Sequence, residues 1–243
     1  MYMKVLKVIA TILLLSIYGY TSAQTLNIDW REGSHFVYKT YNNKEVLGGI
    51  NRSVVNKVVQ DGDKNVYTLT TTATDDKGNP IGLKDKDGNI NNTINREVFS
   101  DADHLYFIDV KSSMSSIDSI QAMLEENDIQ IAYSGELPAI PRSPQVGPLP
   151  KCEYQIALKH KDRQIAINFN YSKRQVLGKE IVVTGAGTFD CWKVTEQFNI
   201  SMFIIKKSIL YTTWIADKVG IVKQETYDKS GQLLSQEILT EIK

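Results

Sequence analysis

Net charge, proline and cysteine are all scarce in this 243-residue sequence. The 28 basic residues equal the 28 acidic residues in number, so the chain lacks the cationic surplus with which nucleic-acid-binding proteins displace counterions from phosphate. Six prolines and 15 glycines exclude a collagen-like or low-complexity chain. Because 42% of the residues are apolar, we expect a packed core rather than disorder. The length allows one large domain or two small ones.

The first residues have the pattern of a secretory signal peptide. Two lysines form a basic start, residues 8–17 form an apolar run, and small residues precede a cleavage point between Ala23 and Gln24. An uncleaved membrane anchor is the competing interpretation, but the run is shorter than the roughly 20 residues that span a bilayer. We therefore predict that residues 1–23 are removed, and that the mature chain is soluble, periplasmic or extracellular, and without a membrane span.

The two cysteines, Cys152 and Cys191, both lie in the predicted mature chain. An even number of cysteines in an oxidising compartment favours a disulfide. Closing the 38-residue loop between them would stabilise the fold by about 4 kcal/mol. Two separately buried thiols are the alternative, and the long spacing differs from the Cys-x-x-Cys pattern of redox sites. We expect a disulfide between Cys152 and Cys191.

Alternating apolar and polar residues dominate the mature chain and predict β-strands. Residues 35–41 and 66–75 are rich in aromatic and β-branched side chains, which suit a sheet. Beyond residue 152 longer strands follow one another with short turns, and the last two form a hairpin around residues 228–231. This pattern predicts a mainly β protein built on a single curled antiparallel sheet, a β-roll or incomplete barrel of the kind seen in lipoprotein carriers.

Two segments interrupt this pattern of strands. Residues 115–127 carry one apolar stripe at helical spacing, which predicts a short amphipathic helix covering an open end of the sheet. Residues 138–150 contain five of the six prolines and form either a domain linker or an ordered strap. Because the sequence has the same β character on both sides, we predict a strap across a single domain of residues 24–243.

Motifs for catalysis and metal binding are missing from the sequence. The three histidines are far apart, and neither His-Glu-x-x-His nor paired Cys-x-x-Cys occurs. Residues 85–91 resemble the start of a calcium loop but lack its bidentate glutamate. A polar turn between strands contains the same residue types. The glycine-rich residues 184–188 precede no helix, so a tight turn is expected there instead of a phosphate site. We predict no cofactor, no metal and no catalytic residues.

Three segments in the second half of the chain resemble a known family. They are GAGTFDCWKV at residues 185–194, WIADKVGIVKQE at residues 214–225, and YDKSG at residues 227–231. Together with Val146-Gly147-x-Leu149-Pro150, they resemble the TapB-like family of exported Bacteroidetes proteins of unknown function. The resemblance implies a mostly β roll in the cell envelope, and it carries over no catalytic residues.

An exported, non-enzymatic protein of the cell envelope is the function that these features favour, with its specific role left open. We predict that the concave face of the sheet holds either its own helix or an apolar or lipid-like ligand. The candidate lining residues are Phe198, Ile200, Met202 and Trp214, and the alternative is that these four residues simply belong to the core. The alternative is a structural or interaction module that docks on an envelope protein through a sheet edge. A hydrolase-type enzyme is the third interpretation.

Overall fold

The computed structural model describes residues 25–84, 88–107, 130–161, 163–202 and 205–243. Within these residues the chain forms sixteen β-strands and no helix. In chain order the strands are β1 (His35–Asn42), β2 (Leu47–Asp61), β3 (Lys64–Thr74), β4 (Leu83–Lys84), β5 (Ile90–Asn91), β6 (Thr93–Ser100), β7 (His104–Tyr106), β8 (Gln130–Gly135), β9 (Ile140–Pro141), β10 (Gly147–Pro148), β11 (Cys152–His160), β12 (Arg163–Thr184), β13 (Gly187–Met202), β14 (Ile205–Ala216), β15 (Gly220–Tyr227) and β16 (Leu233–Ile242).

Fourteen of the strands build one antiparallel sheet, and β4 and β5 form a separate hairpin. The order across the large sheet is β8-β11-β12-β13-β14-β15-β16-β1-β2-β3-β6-β7-β9, with β10 beside β12. Because β1 pairs with both β2 and β16, the two halves of the chain share one continuous sheet. The predicted mainly β class and the single unclosed sheet are confirmed. The predicted helix and the predicted signal peptide both lie outside the described residues.

Irregular pairing in the long strand β12 gives the sheet part of its curl. The register between β12 and β13 shifts twice, between Ser172 and Gln175 and between Val176 and Gly178. A bulge of this kind bends its strand and increases the local twist. The first shift contains Lys173, whose φ of 48° lies in the left-handed region. The next residue along the strand, Arg174, is only 4% exposed.

Two clusters of buried side chains lie against the curled sheet. The larger one joins both halves of the chain, and Val55, Leu69, Val176 and Leu239 are among its fully buried members. Burying an aliphatic side chain of this size contributes about 1.5–3 kcal/mol, so this cluster supplies much of the driving force for folding. The buried members of the smaller cluster are Cys152, Tyr154, Ile156 and Tyr171.

The segment of residues 136–150, called the crossing segment below, connects the two edges of the sheet. Only residues 136–139 separate β8 at one edge from β9 at the other. The segment then returns, and its strand β10 pairs with β12. Backbone hydrogen bonds hold it on both sides, from Arg142 N to Asp103 O at 2.7 Å and from Leu149 N to Arg174 O at 2.9 Å. The predicted proline-rich strap lies within this segment.

The predicted disulfide is wrong, because both cysteines are free thiols in the structure. Cys152 pairs across the sheet with Tyr171 of β12, and Cys191 pairs with Glu180 of the same strand. Tyr171 and Glu180 are nine positions apart, which is about 30 Å of extended strand. A disulfide requires Cα atoms within about 7 Å of each other. The length of β12 therefore keeps the two thiols apart.

Candidate functional site

Three adjoining cavities lie along the inner side of the sheet. The largest, called the end cavity, has a volume of about 610 Å³. The central cavity has about 200 Å³ and the small cavity about 70 Å³. Ligand sites in proteins usually measure about 300–1,000 Å³, so only the end cavity reaches that size by itself. The three volumes adjoin one another because they share lining residues.

The end cavity lies between β2, β3 and β6 of the sheet and the segment that carries the small hairpin. It is lined by Asn51, Thr71, Ala73, Ile81, Gly82, Asn91, Asn92, Thr93, Ile94 and Arg96. Most of its lining surface is apolar, and Ile81 and Ile94 are 44% and 43% exposed. The side-chain nitrogen of Asn92 donates to Ala73 O at 2.9 Å, and Ile81 N donates to the same oxygen at 3.0 Å. These hydrogen bonds hold the hairpin segment against β3.

Glycine at position 82 is required by the close approach of two backbone segments. A Cβ atom added there would lie 1.8 Å from the carbonyl oxygen of Asn91. The neighbouring strands β4 and β5 pair through Leu83 with Asn91. Any larger residue at position 82 would push this pair apart and change the wall of the end cavity.

Arg96 connects the three cavities, since it lines every one of them. It follows the alternation of β6, in which Ile94, Arg96 and Val98 share the inner face. The Nε atom of Arg96 is buried and has no hydrogen-bond partner within the described residues. Leaving a buried donor unpaired costs about 1–3 kcal/mol. The rest of the guanidinium group forms no hydrogen bond or ion pair within the described residues either, so Arg96 has no protein acceptor there.

Arg174 and Glu196 face each other in the central cavity. The Nε atom of Arg174 lies 3.1 Å from an oxygen of Glu196, and the two side chains are 2% and 13% exposed. The two terminal nitrogens of Arg174 donate to Ala139 O at 2.7 Å and to Pro150 O at 2.9 Å. Burial raises the pKa of Glu196, and the charge of Arg174 only partly offsets this. Each of the three side-chain nitrogens of Arg174 therefore has a partner, and the side chain ties the crossing segment to the sheet.

A second carboxylate, that of Glu237, lines both the central and the small cavity. Asn51 donates a hydrogen bond of 2.6 Å to it. Tyr38 lies beside the small cavity and donates to Ile221 O at 2.9 Å. Burial raises the pKa of Tyr38, the positive charge of Arg96 lowers it, and the negative charge of Glu237 raises it by a smaller amount. At the Tyr38 hydroxyl, the influence of the arginine therefore exceeds that of the glutamate.

The rest of the central cavity is lined by aromatic, aliphatic and neutral polar side chains. Its lining residues are Arg96, Phe107, Pro138, Ile140, Tyr171, Arg174, Val194, Glu196, Tyr211, Thr213, Ile215, Ile221, Gln224 and Glu237. They come from both halves of the chain and from the crossing segment. The described wall of the central cavity is thus only partly apolar and includes four charged residues.

The structure does not bring the four predicted lining residues into one site. Phe198 belongs to an aromatic group, with ring centroids 4.9 Å from Tyr171 and 6.1 Å from Tyr211. Those two tyrosines line the central cavity and Phe198 packs against them. Ile200 is half-buried two residues further along the same strand. The side chain of Met202 lies outside what the structure describes.

Trp214 lies on the opposite face of β14 from the central cavity, since its neighbour Thr213 lines that cavity. It is 3% exposed, and its indole nitrogen donates to Glu180 at 2.8 Å. The Nζ atoms of Lys193 and Lys223 lie 4.8 and 4.6 Å from its ring centroid. The indole ring of Trp214 is therefore already engaged by two cation–π contacts and one hydrogen bond. A role in lining a ligand site stays a prediction for all four residues.

Sequence reasoning missed the charged residues of the interior. Their signal is a charge at a position where the alternation of a strand calls for an apolar residue. Arg96 lies between Ile94 and Val98 in this pattern, and Glu196 lies between Val194 and Phe198. Such a residue is costly to bury without a partner, so it marks either an internal ion pair or a binding site.

The described residues contain no group of three histidine, cysteine or acidic side chains that could hold a metal ion. Burial raises the pKa of the Cys152 thiol to about 11 and that of Cys191 to about 12. Because only the thiolate is a nucleophile, both cysteines are unreactive at neutral pH. The described interior is therefore suited to binding a ligand, because the apolar end cavity adjoins the side chain of Arg96.

Comparison with known proteins gives a family and a fold. The sequence profile of the DUF3108-like family matches residues 31–239. A Bacteroides fragilis protein of YmcC-like fold, described as exported, is 19% identical, with a TM-score of 0.61 over 90% of this chain and 99% of its own. A Parabacteroides distasonis protein described as a lipoprotein is also 19% identical, with a TM-score of 0.63 over the same shares of the two chains. No curated protein matches the sequence.

The profile match bears out a family resemblance and the solved structures show a shared fold, while the TapB-like label and the exported location stay predictions. Both solved structures share the fold with this chain at an identity too low to transfer more than the fold. Among the described residues, no helix is long and apolar enough to cross a membrane.

Proposed function

This chain belongs to the DUF3108-like family, and from that premise we propose that it is an exported, non-enzymatic protein of the cell envelope that holds an apolar or lipid-like ligand inside its curled sheet. The end cavity carries the proposal. It combines a volume of about 610 Å³ with a mostly apolar wall and a few polar groups, which is the usual composition of a ligand site.

The partly exposed isoleucines support this assignment. Ile81 and Ile94 both line the end cavity while 44% and 43% of their surfaces are accessible. A ligand chain that covered them would remove apolar surface from water, at about 25 cal/mol for each Å² buried. We also propose that the crossing segment is the strap of a single domain formed by residues 24–243. As a strap, the segment would close the interior between the two edges of the sheet.

Native mass spectrometry of protein gently extracted from its producing cells tests the proposal. We expect a fraction of the protein to carry an additional small mass. Ile94→Trp would fill the end cavity and reduce that fraction. Ile181→Trp is the matched control, because Ile181 also lies on a strand and is 64% exposed but lines none of the three cavities. Detection of the bare polypeptide mass alone would refute ligand carriage.

The second candidate function is docking on an envelope protein through the edge of β12. Among the described strands, β11 pairs with β12 as far as Tyr171 and β10 pairs with Gln175 and Val176. Beyond Val176, β13 is the only described strand that pairs with β12. Two apolar side chains near this free edge, Ile181 and Val183, are 64% and 74% exposed. An extended segment of a partner could add a strand here.

Crosslinking in whole cells separates the two candidates. A photoreactive residue at position 183 would capture a stable partner if the edge is a docking site. The same residue at position 94 would instead label a small molecule if the end cavity holds a ligand. Capture of a protein from position 183 together with no adduct at position 94 would favour docking over carriage.

A further inference from the structure

We infer that the ligand is an anionic amphiphile, whose carboxylate or phosphate group binds Arg96 and whose apolar chain occupies the end cavity. The inference rests on the proposed ligand site and names the chemical class that the site accepts. It depends on the position of Arg96, on what the other interior charges already bind, and on the nearby hydroxyl groups.

Among the described residues that line the end cavity, Arg96 is the only arginine or lysine. It is also shared with the central and small cavities, so it stands where the apolar cavity meets the polar interior. An amphiphile whose chain lay along Ile81 and Ile94 would present its head group at this junction. The guanidinium group suits this role, because its fork of donors matches the two oxygens of a carboxylate or phosphate.

The other interior charges are already engaged. Arg174 has Glu196 at 3.1 Å and two backbone carbonyl oxygens as partners. Glu237 accepts the hydrogen bond of Asn51. In contrast, the buried Nε atom of Arg96 has no acceptor within the described part of the chain. Arg96 is therefore the interior cation that is available to an anion.

The balance of charge around Arg96 is compatible with an anion. Glu237 lines the small cavity together with Arg96 and would repel a negative group. At the Tyr38 hydroxyl, however, the positive charge of Arg96 outweighs the negative charge of Glu237 in its effect on the pKa. A ligand head group that contacts Arg96 from the end cavity approaches from the side that Glu237 does not line.

Neutral donors lie close to the same point. The hydroxyl oxygens of Ser53 and Thr71 are 2.7 Å apart, and Thr71 lines the end cavity together with Arg96. Two hydroxyl groups carry two protons and their mutual hydrogen bond uses one. The second proton is free to be donated to a ligand oxygen. An anionic oxygen placed between Arg96 and this pair would thus have a charged donor and a neutral one.

Isothermal titration of the purified protein with three probes tests the inference. The probes are sodium decanoate, which has a chain and an anion, 1-decanol, which has the chain alone, and sodium acetate, which has the anion alone. We expect decanoate to bind more tightly than either of the other two. Arg96→Gln should weaken decanoate binding by about tenfold or more, because charge-assisted hydrogen bonds are lost, and should weaken decanol binding by a much smaller factor, because the neutral hydroxyl forms no charge pair with Arg96. Arg96→Lys should recover part of the loss.

The matched control is Arg52→Gln, since Arg52 is exposed on β2 and lines none of the three cavities. Equal affinity of wild-type protein and Arg96→Gln for decanoate would overturn the inference and leave the proposed function standing. Acetate binding as tightly as decanoate would overturn the amphiphile class. Failure of both decanoate and decanol to bind the wild-type protein would contradict the proposed function itself.

Discussion

Arg174 and Glu196 form an ion pair of 3.1 Å in which one arginine joins three parts of the fold. Glu196 belongs to β13, Arg174 lies in the bulge of β12, and the carbonyl oxygens of Ala139 and Pro150 belong to the crossing segment and its C-terminal boundary. The pair thus fixes the segment that connects the two edges of the sheet. It also shapes the central cavity, which both side chains line.

Replacing Arg174 by Met should strongly destabilise the protein. The substitution leaves Glu196 as a buried carboxylate without its cation and frees two carbonyl oxygens, and breaking a buried pair in this way costs about 3–5 kcal/mol. Urea unfolding followed by tryptophan fluorescence measures the change in the free energy of unfolding. Arg52→Met, at an exposed position, should cost less than about 1 kcal/mol. Similar values for the two variants would show that the Arg174 pair does not hold the fold.

The stability of the protein should respond to pH through Glu196. Burial raises the pKa of Glu196 in the folded state above its ordinary value of 4.5. At pH values between the pKa of the unfolded state and that of the folded state, the folded protein therefore binds more protons than the unfolded chain. The free energy of unfolding contributed by this group is therefore largest below pH 4.5 and decreases as the pH rises through the folded pKa.

The comparison with Glu196→Gln isolates this contribution, because the amide cannot titrate. As the pH falls from 7 towards 5, the wild-type protein should gain stability relative to the variant. Urea unfolding at several pH values gives the difference directly and cancels the titration of other carboxylates. A difference that stays constant over this range, or that changes in the opposite direction, would show that burial does not raise the pKa of Glu196.

Much of the β architecture could be predicted from alternation alone, while the pairing of distant strands could not. Tyr67 and Leu69 alternate with threonines, and they form the inward face of β3 as such a pattern predicts. Nothing in the local sequence indicates that β1 pairs with β16, because the two strands lie near opposite ends of the chain and no turn joins them. The bulge at Lys173 was equally unpredictable, since no sequence pattern specifies its backbone conformation.

The site was less predictable than the fold for a related reason. Phe198 and Trp214 are large apolar residues on strands, and in the structure both are engaged by packing or hydrogen bonds. Alternation places Arg96 and Glu196 on the inner face, but a charge in a strand is usually solvated, so alternation alone does not distinguish a buried charge from an exposed one. The disulfide prediction failed because a cysteine count carries no information on the distance along β12.

Replacing Gly82 by Ala should loosen the wall of the end cavity. The added Cβ atom would lie 1.8 Å from Asn91 O, so the backbone of the small hairpin must move, and overpacking of this kind costs about 1–3 kcal/mol. Hydrogen exchange should show faster exchange of the Ala73 amide, which donates to Asn92 O at 2.9 Å. Gly48→Ala is the control, because its nearest atom would be 3.7 Å away. Unchanged protection of Ala73 would contradict the tight approach.

Titration of thiols tests the separation of the two cysteines. In denaturant without reductant, we expect two reactive thiols for each chain, because Cys152 and Cys191 are free in the structure. In native buffer we expect almost no reaction at neutral pH, since both side chains are buried and burial raises the pKa of Cys152 to about 11 and of Cys191 to about 12. The same assay on Cys152→Ser should give one thiol in denaturant. Finding no thiol in the denatured wild-type protein would restore the disulfide and would require β12 to fold differently between Tyr171 and Glu180.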